Sequence, residues 1–271
     1  MSNIYLNDKN CISKKVVVAA AIRNAASIIL PIFNNLKIFN ELFDDVIFIF
    51  IESNSSDDTL EQIKKYKSVL NGKIIIYSFG NNMNSIPNRM QRICKARNYY
   101  LDIVEKDYSN YDYLYVLDFN DTNLEPYNAE VIMSNFNLNV NWDMICANQE
   151  PVYYDLYALR HETWMPFNCW NAIGNRPDFM SYKDAHNMFV KSRFINIDKN
   201  EPPIKVVSAF GGSAFIKISS IKGARHSALD EKGEEECEWV PFCKQLDNVY
   251  INPKFINMTK LNRHYITAMS V

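Results

Sequence analysis

The sequence predicts an α/β fold, a mixed and mostly parallel sheet with helices on both faces and an irregular C-terminal half. Three observations lead there. Segments 16–21, 46–51 and 113–117 are apolar at almost every position, the mark of strands covered on both sides. Stretches with apolar residues at helical spacing separate them. No repeat, linker or low-complexity run divides the 271 residues, so a single domain over 1–271 is expected.

Segment 16–21 is the first buried strand, and a helical stretch follows over about 25–39. Segment 46–51 is the second strand. Residues 53–58, SNSSDD, form a loop of helix-capping types, and Asp58 with Glu61 has the spacing of a capping box. Leu60, Ile63 and Leu70 mark the helix after it. Segment 74–77 is a third strand, after which Met90, Ile93, Arg97, Leu101 and Val104 recur at helical spacing. Segment 113–117 is the fourth strand and ends in Asp118; 142–147 reads as a fifth. Residues 150–200 are rich in aromatics, Pro and Asn, with little periodicity, and read as long loops over the sheet edge. Segments 206–208 and 214–216 read as strands around Gly211 and Gly212, 234–246 as a helix, and 249–251 as a short strand before the tail. Right-handed crossovers place the C-terminal ends of parallel strands along one edge, where ligands of such sheets bind.

Hydrophobic residues make up 48% of the chain and charged residues 22%, ample material for a core. A net charge of −2 excludes bulk attraction to nucleic acid or to a membrane surface. The longest apolar stretch, 16–33, is broken by Arg23, Asn24 and Pro31, short of the about 20 apolar residues that a membrane span needs. No signal peptide opens the sequence, so a soluble, cytoplasmic protein is expected, with a peripheral seat at a membrane or in a viral factory compatible with the same features. The six cysteines form no C-x-x-C pair and are read as separate reduced thiols.

Five local signals carry candidate chemistry. Asp118-Phe119-Asn120-Asp121 directly follows a buried strand, and residues two apart in an extended chain point to one side. Hard oxygen ligands at a sheet edge suit Mg²⁺ or Mn²⁺ carried by a diphosphate, although Asn and Asp also favour plain turns. Glu52 ends the second strand, where a carboxylate can accept from ribose hydroxyls or a base N–H, or serve only to cap. Arg97 lies on the apolar stripe of its helix, a costly place for a charge without a partner. A substrate phosphate, Glu52 or Asp118 could pair with it, Arg89 and Arg92 sharing the work, and a structural ion pair is the alternative. Arg23 and Asn24, just past the first strand, belong to the same edge and are candidates for the diphosphate. Gly211 and Gly212, two of seven glycines, permit close backbone approach to a ligand or a tight turn. Glu238, in the acidic run 234–238, could act as a general base or orient a hydroxyl, against the alternative of a solvated helix start. Trp164 and Trp170 could stack on a sugar or simply pack, and the late His264 could complete a metal shell or lie at the surface.

In that pattern the chain resembles GT-A glycosyltransferases, with their Rossmann-like sheet. It looks most like the group of fungal capsule-associated α-1,3-mannosyltransferases and their relatives in bacteria and giant viruses. The stretches that carry the resemblance are IESNSSDDTL (51–60), RICKARNYYL (92–101), YLYVLDFND (113–121), YYDLYALRH (153–161), VVSAFGGSAF (206–215), CEWV (237–240) and INPKFIN (251–257). The resemblance implies a nucleotide-binding half over about 1–148 and a half for sugar and acceptor over about 149–271. It implies a nucleotide-sugar donor, a glycan or glycoconjugate acceptor, and a divalent cation. Asp118 and Asn120 would then hold the metal in place of the family's D-x-D motif, with Asp121 as substitute and His264 as late ligand. Glu52 would meet the nucleoside, Arg97 would hold the donor site, and Gly211 and Gly212 would form the loop near donor and acceptor. Glu238 would serve the acceptor side, beside a Trp239 that stands where many relatives have His. Tyr154, Asp155, Arg160 and Trp170 would shape the sugar and acceptor pockets. A sugar nucleotidyltransferase is the nearest rival, but 19–24 lacks the Gly-rich loop it would need. A non-catalytic protein that binds a sugar or a partner is the other.

Overall fold

The computed structural model describes residues 12–257. These residues form one eight-stranded sheet. Its strands are β1 (Ile12–Ile22), β2 (Phe43–Glu52), β3 (Lys73–Ser78), β4 (Tyr113–Leu117), β5 (Met144–Asn148), β6 (Ile204–Val206), β7 (Ser213–Lys217) and β8 (Val249–Ile256). They lie in the order β3-β2-β1-β4-β7-β5-β8-β6. β1 runs parallel to β2 and β4, β2 to β3, and β5 to β8. β7 is antiparallel to β4 and β5, and β6 to β8. The C-terminal ends of β1, β2, β4 and β5 therefore share one edge with the start of β7. Every candidate side chain described below is drawn from or near that edge.

The pleat divides the apolar strands between two cores. Val17, Ala19, Ile47, Ile49, Leu114 and Val116 pack with Ala96, Tyr100, Leu101 and Val104 of the helix Arg89–Asp107. Val16, Val18, Ala20, Phe48, Phe50 and Tyr115 pack with Ile29, Ile32, Phe33 and Leu36 of the helix Ile29–Leu36. Phe33 stacks on Phe50 at 5.0 Å between centroids. A strand buried on both sides cannot show polar alternation, and this is why these segments read as unbroken apolar runs.

Several elements differ from expectation. The helix expected over 25–39 is a 3-10 turn, the helix Ile29–Leu36 and a further turn Phe39–Leu42. Pro31 is tolerated because it sits in the first helical turn, where a missing N–H costs no intrahelical bond. No capping box forms at Asp58, whose carboxylate accepts instead from Gln62 Nε2 at 2.5 Å. Asp57 does the capping, accepting from the Thr59 N–H at 3.1 Å. The stretch 150–200 holds two helices, Cys169–Gly174 and Tyr182–Phe189, each capped by a side chain, Asn168 and Ser181. The helix expected over 234–246 shrinks to Trp239–Cys243, since Glu235 is drawn into an isolated bridge with Leu229. β8 runs on to Ile256, and its register against β5 shifts around Pro253, the kind of irregularity at which a strand accepts proline.

The five described cysteines are free and buried. Burial pushes the Cys94 and Cys169 thiols up to about 12, so they act as small apolar groups. Cys11 lies outside the described residues. No helix among the described residues is long and apolar enough to cross a membrane.

Candidate active site

Arg97 organises the edge. It projects from the buried face of the helix Arg89–Asp107 and is 3% exposed. Its Nη2 donates to Asp118 Oδ1 at 2.8 Å, its Nε to Glu238 Oε1 at 3.1 Å and its Nη1 to the Tyr100 hydroxyl at 3.3 Å. The guanidinium lies 4.6 Å from the Trp239 ring and 5.2 Å from that of Phe210. Those two rings stack on each other at 4.2 Å and 18°. Burial opposes the charge, yet Tyr100, Asp118 and Glu238 outweigh it and raise the pKa above the usual arginine value. The planar fork suits this geometry, since one cation meets two carboxylates and a flat aromatic surface together.

Asp118 is fixed by its backbone. Its N–H donates to Gly212 O at 2.9 Å, and Asn123 Nδ2 donates to its carbonyl at 2.8 Å and to Gly212 O at 3.1 Å. The next side chain, Phe119, turns to the opposite core and packs edge-on against Phe33 and Phe50. This anchors the tip of β4 while the Asp118 side chain stays 35% exposed. Glu238 stands just before the helix Trp239–Cys243 and its side chain is only 6% exposed. His226 Nδ1 lies 3.1 Å from the Glu238 carbonyl, and its ring stacks on Phe242 and meets Trp239 edge-on. Burial, with Arg97 nearby, holds the His226 pKa well below its ordinary value, so the ring is neutral and Nδ1 donates.

Two cavities open here. The first, about 400 Å³, is lined by Arg23, Asp118, Asn120, Asp155 and Glu238, with Arg89 and Arg92 along one wall. The second, about 870 Å³, shares Arg23, Asn24, Phe119, Asn120, Asp155 and Tyr157 with it. It continues past Asp121 and Tyr154 to Trp170, Tyr182 and His186. Asp155 stands in the common wall, and its Oδ2 accepts from the Gly211 N–H at 2.9 Å. Burial pushes this carboxyl up to about 6; the Gly211 N–H opposes the rise, and repulsion from Asp118 and Glu238 adds to it.

Of the residues singled out from sequence, Arg23, Asn24, Arg97, Asp118, Asn120 and Glu238 meet at the first cavity. Arg97 pairs with Asp118 and Glu238 rather than with Glu52. Glu52 is 3% exposed, and its oxygens accept from the Ser55 N–H at 2.8 Å and the Ser78 hydroxyl at 2.5 Å. It fixes the loop after β2, and Ser53 of that loop lines the cavity in its place. Asn24, at φ 50°, ties the same loop to β1 by accepting from the Ser56 N–H at 2.8 Å. Gly211 and Gly212 are outside both linings, and their close approach is to protein: a Cβ would stand 2.3 Å from Ala147 O at Gly211 and 2.7 Å from Thr122 Oγ1 at Gly212. Arg160 is also outside both linings, buried in a 2.6 Å ion pair with Glu236. Trp164 instead donates to the Arg193 carbonyl at 2.8 Å. His264 lies outside the described residues.

For a divalent ion the donor set is thin. Asn120 Oδ1 already accepts from the Thr122 N–H at 3.0 Å and hydroxyl at 2.5 Å. Among the described residues no group of three His, Cys, Asp or Glu side chains is arranged to hold a metal. Asp118 engages Arg97 through Oδ1, and among the described residues no hydrogen bond occupies Oδ2. A hard cation fits this edge when one or two carboxylates anchor it and ligand phosphates and water complete its shell, which is the usual state of Mg²⁺ on a diphosphate. The spacing in sequence gave no sign of Phe210, Tyr100 or His226. Residues 97, 210, 226 and 238 converge only through the fold, and the local signals among them were the charge of Arg97 on an apolar stripe and Glu238 in its acidic run.

No family model matches the chain, and no curated protein matches it. Solved structures do. The mannosyltransferase PcManGT from Pyrobaculum calidifontis, in complex with GDP-Man and Mn²⁺, aligns with a TM-score of 0.53 at 8% identity, over 93% of this chain and 58% of that one. Residues 1–349 of S. aureus TarS align at 0.44 and 11% identity, over 88% of this chain and 57% of that one. Glucosyl-3-phosphoglycerate synthase from Mycobacterium tuberculosis aligns at 0.48 and 11%, over 92% and 72%. The chain thus spans less than two thirds of the length of the first two. Identities this low speak to fold alone, and the fold is of the GT-A kind.

Proposed function

We propose that this protein transfers a sugar from a nucleotide-sugar donor to a hydroxyl acceptor, assisted by Mn²⁺ or Mg²⁺. The observation that carries the reading is the position of Asp118: its carboxylate faces an open cavity at the tip of β4, beside Arg97 and Glu238. Similarity of fold to a mannosyltransferase seen with GDP-Man and Mn²⁺ supports it.

In this reading Arg23 and Asn24, with the loop that Glu52 fixes, hold the nucleotide end. Arg89 and Arg92 on the cavity wall face the diphosphate. Arg97 donates from each of its three nitrogens, to Asp118, Glu238 and Tyr100, and positions the two carboxylates. Asp118, with Asp121 at the neighbouring wall, would hold the cation, whose charge offsets that of the departing nucleoside diphosphate. The bond from the anomeric carbon to the diphosphate breaks and a bond to the acceptor oxygen forms. Glu238 orients the acceptor hydroxyl and takes its proton.

The test is donor hydrolysis and transfer with Mn²⁺, wild type against Asp118→Ala. A fall of about 10²-fold or more is expected for a group that organises charge at the leaving group. Full activity in the variant removes the assignment. One observation favours a second reading, a non-catalytic sugar or partner binder: Asn120 spends its oxygen on Thr122. Calorimetry that finds no nucleotide binding with or without Mn²⁺ selects it.

A further inference from the structure

The far part of the larger cavity is built differently from the part beside Asp118. Three aromatic rings of the two short helices meet there. Trp170 and Tyr182 are 44% and 48% exposed, while His186 is 2% exposed and lies between them. The His186 ring stacks on Tyr182 at 6.1 Å and 27° and stands 6.2 Å from Trp170. An exposed Trp is often a loose surface ring, but this one stands on an anchored backbone. Its backbone N–H donates to Oδ1 of the cap Asn168 at 3.0 Å. Asn168 in turn donates to Glu236 Oε1 at 3.0 Å, the oxygen that pairs with Arg160. The start of the helix that carries Trp170 is thus anchored on a buried ion pair, and the ring is left 44% exposed.

His186 supplies the second sign of a ligand. Its Nδ1 is buried and has no hydrogen-bond partner among the described residues, yet the residue lines the cavity. Buried polar atoms without partners are rare, and one that borders a cavity is commonly completed by what fills it, directly or through a water. Burial, with Lys191 nearby, lowers the ring's pKa, so it meets its ligand as a neutral donor and acceptor.

The charge pattern narrows the ligand. Among the described lining residues, charge is confined to Arg23, Asp121 and Asp155, at the end shared with or next to the first cavity. The far end, from Cys169 through Trp170, Tyr182 and His186 to Val190 and Phe194, carries none. The nearest cations stand behind this wall: Arg176 lies 5.9 Å from the Tyr182 ring and donates to the Met180 and Ile173 carbonyls, and Lys191, near His186, is outside the lining. An anionic ligand would therefore meet no cation among the lining residues at this end. A purely apolar tail would leave His186 Nδ1 and the indole and phenol tips without partners. A ligand with a flat apolar face and a rim of hydroxyls satisfies both parts of this wall, and the volume of about 870 Å³ is at the upper end of small-molecule sites.

We propose that Trp170, Tyr182 and His186 form a subsite for an uncharged oligosaccharide, stacked on Trp170 and Tyr182 and hydrogen-bonded by His186. Resting on the glycosyltransferase reading, this names the acceptor as a neutral glycan whose non-reacting sugars bind at the far end while its reactive hydroxyl reaches Asp155 and Glu238.

The test measures binding without turnover. Calorimetry and saturation-transfer NMR are run with neutral trisaccharides of glucose, mannose and galactose, with trigalacturonate, and with a lysophospholipid below its micelle concentration. Wild type is compared with Trp170→Ala and Tyr182→Ala, two open positions where truncation leaves the core intact. At least one neutral trisaccharide should bind wild type, and each substitution should raise its Kd at least about tenfold. UDP and GDP binding is measured on the same samples. No neutral trisaccharide bound, binding that survives both substitutions, displacement by nucleotide, or binding of the anionic or lipid probe alone would each overturn the subsite. If a saccharide binds through Trp170 while no nucleotide binds, the subsite stands and the glycosyltransferase reading falls.

Discussion

At Arg97, three acceptors meet the three nitrogens of one buried guanidinium, and the cost of removing it falls on what it leaves behind. Arg97→Met would strand the Glu238 carboxylate, 6% exposed, without its cation. Breaking a buried pair in this way costs about 3–5 kcal/mol, which a urea unfolding midpoint will register. Arg97→Lys keeps the charge but not the fork, so it should hold one carboxylate and release the other. Asp155 carries a pH signature. Its carboxyl is raised from 3.8 to about 6, so between those values the folded chain binds a proton that the unfolded chain has lost. Stability from this group therefore falls as pH rises through that window and is level above it. Asp155→Asn keeps an acceptor for the Gly211 N–H and removes the titration. Its stability relative to wild type should climb from about pH 4 to about pH 6, and a flat difference curve would contradict the raised value.

The glycine pair and the helix behind it show what an element can hide from its own sequence. Gly211 at φ +66° and Gly212 at φ +88° are both in the left-handed region. Alanine at either adds about 1–3 kcal/mol of backbone strain. Gly211→Ala should cost more, because its Cβ would meet a backbone oxygen at 2.3 Å, whereas at Gly212 the obstacles are the Thr122 and Asn257 side chains, which can move. Denaturant midpoints of the two variants check the order. The pair stood out in a chain with seven glycines, but its purpose did not: it seats the backbone that carries Asp118, and Asp118 is 94 residues from Gly212 in the sequence. The strands were legible because burial on both faces leaves an unbroken apolar run. Arg97 was legible because a charge on an apolar stripe demands an explanation. The helices Cys169–Gly174 and Tyr182–Phe189 were not, since each is too short to show a period and is held by its cap and its packing. His226 and Phe210 gave no local sign, because their role exists only where they meet Trp239.

For the molecule as a whole, ligand binding should be visible as stability. A nucleotide sugar at about 100 times its Kd adds about 2.7 kcal/mol. In a chain of this size that raises the melting temperature by roughly 5–10 °C. A screen of UDP-, GDP- and CMP-sugars with Mn²⁺ therefore names the donor class, and a panel with no shift counts against any nucleotide sugar. The wall common to the two cavities, with Arg23, Asn120 and Asp155 in it, has a further effect. An occupant on one side settles those side chains for an occupant on the other. The factor by which the first changes affinity for the second must then equal the factor in reverse, so either order of addition gives the same ternary complex at equilibrium.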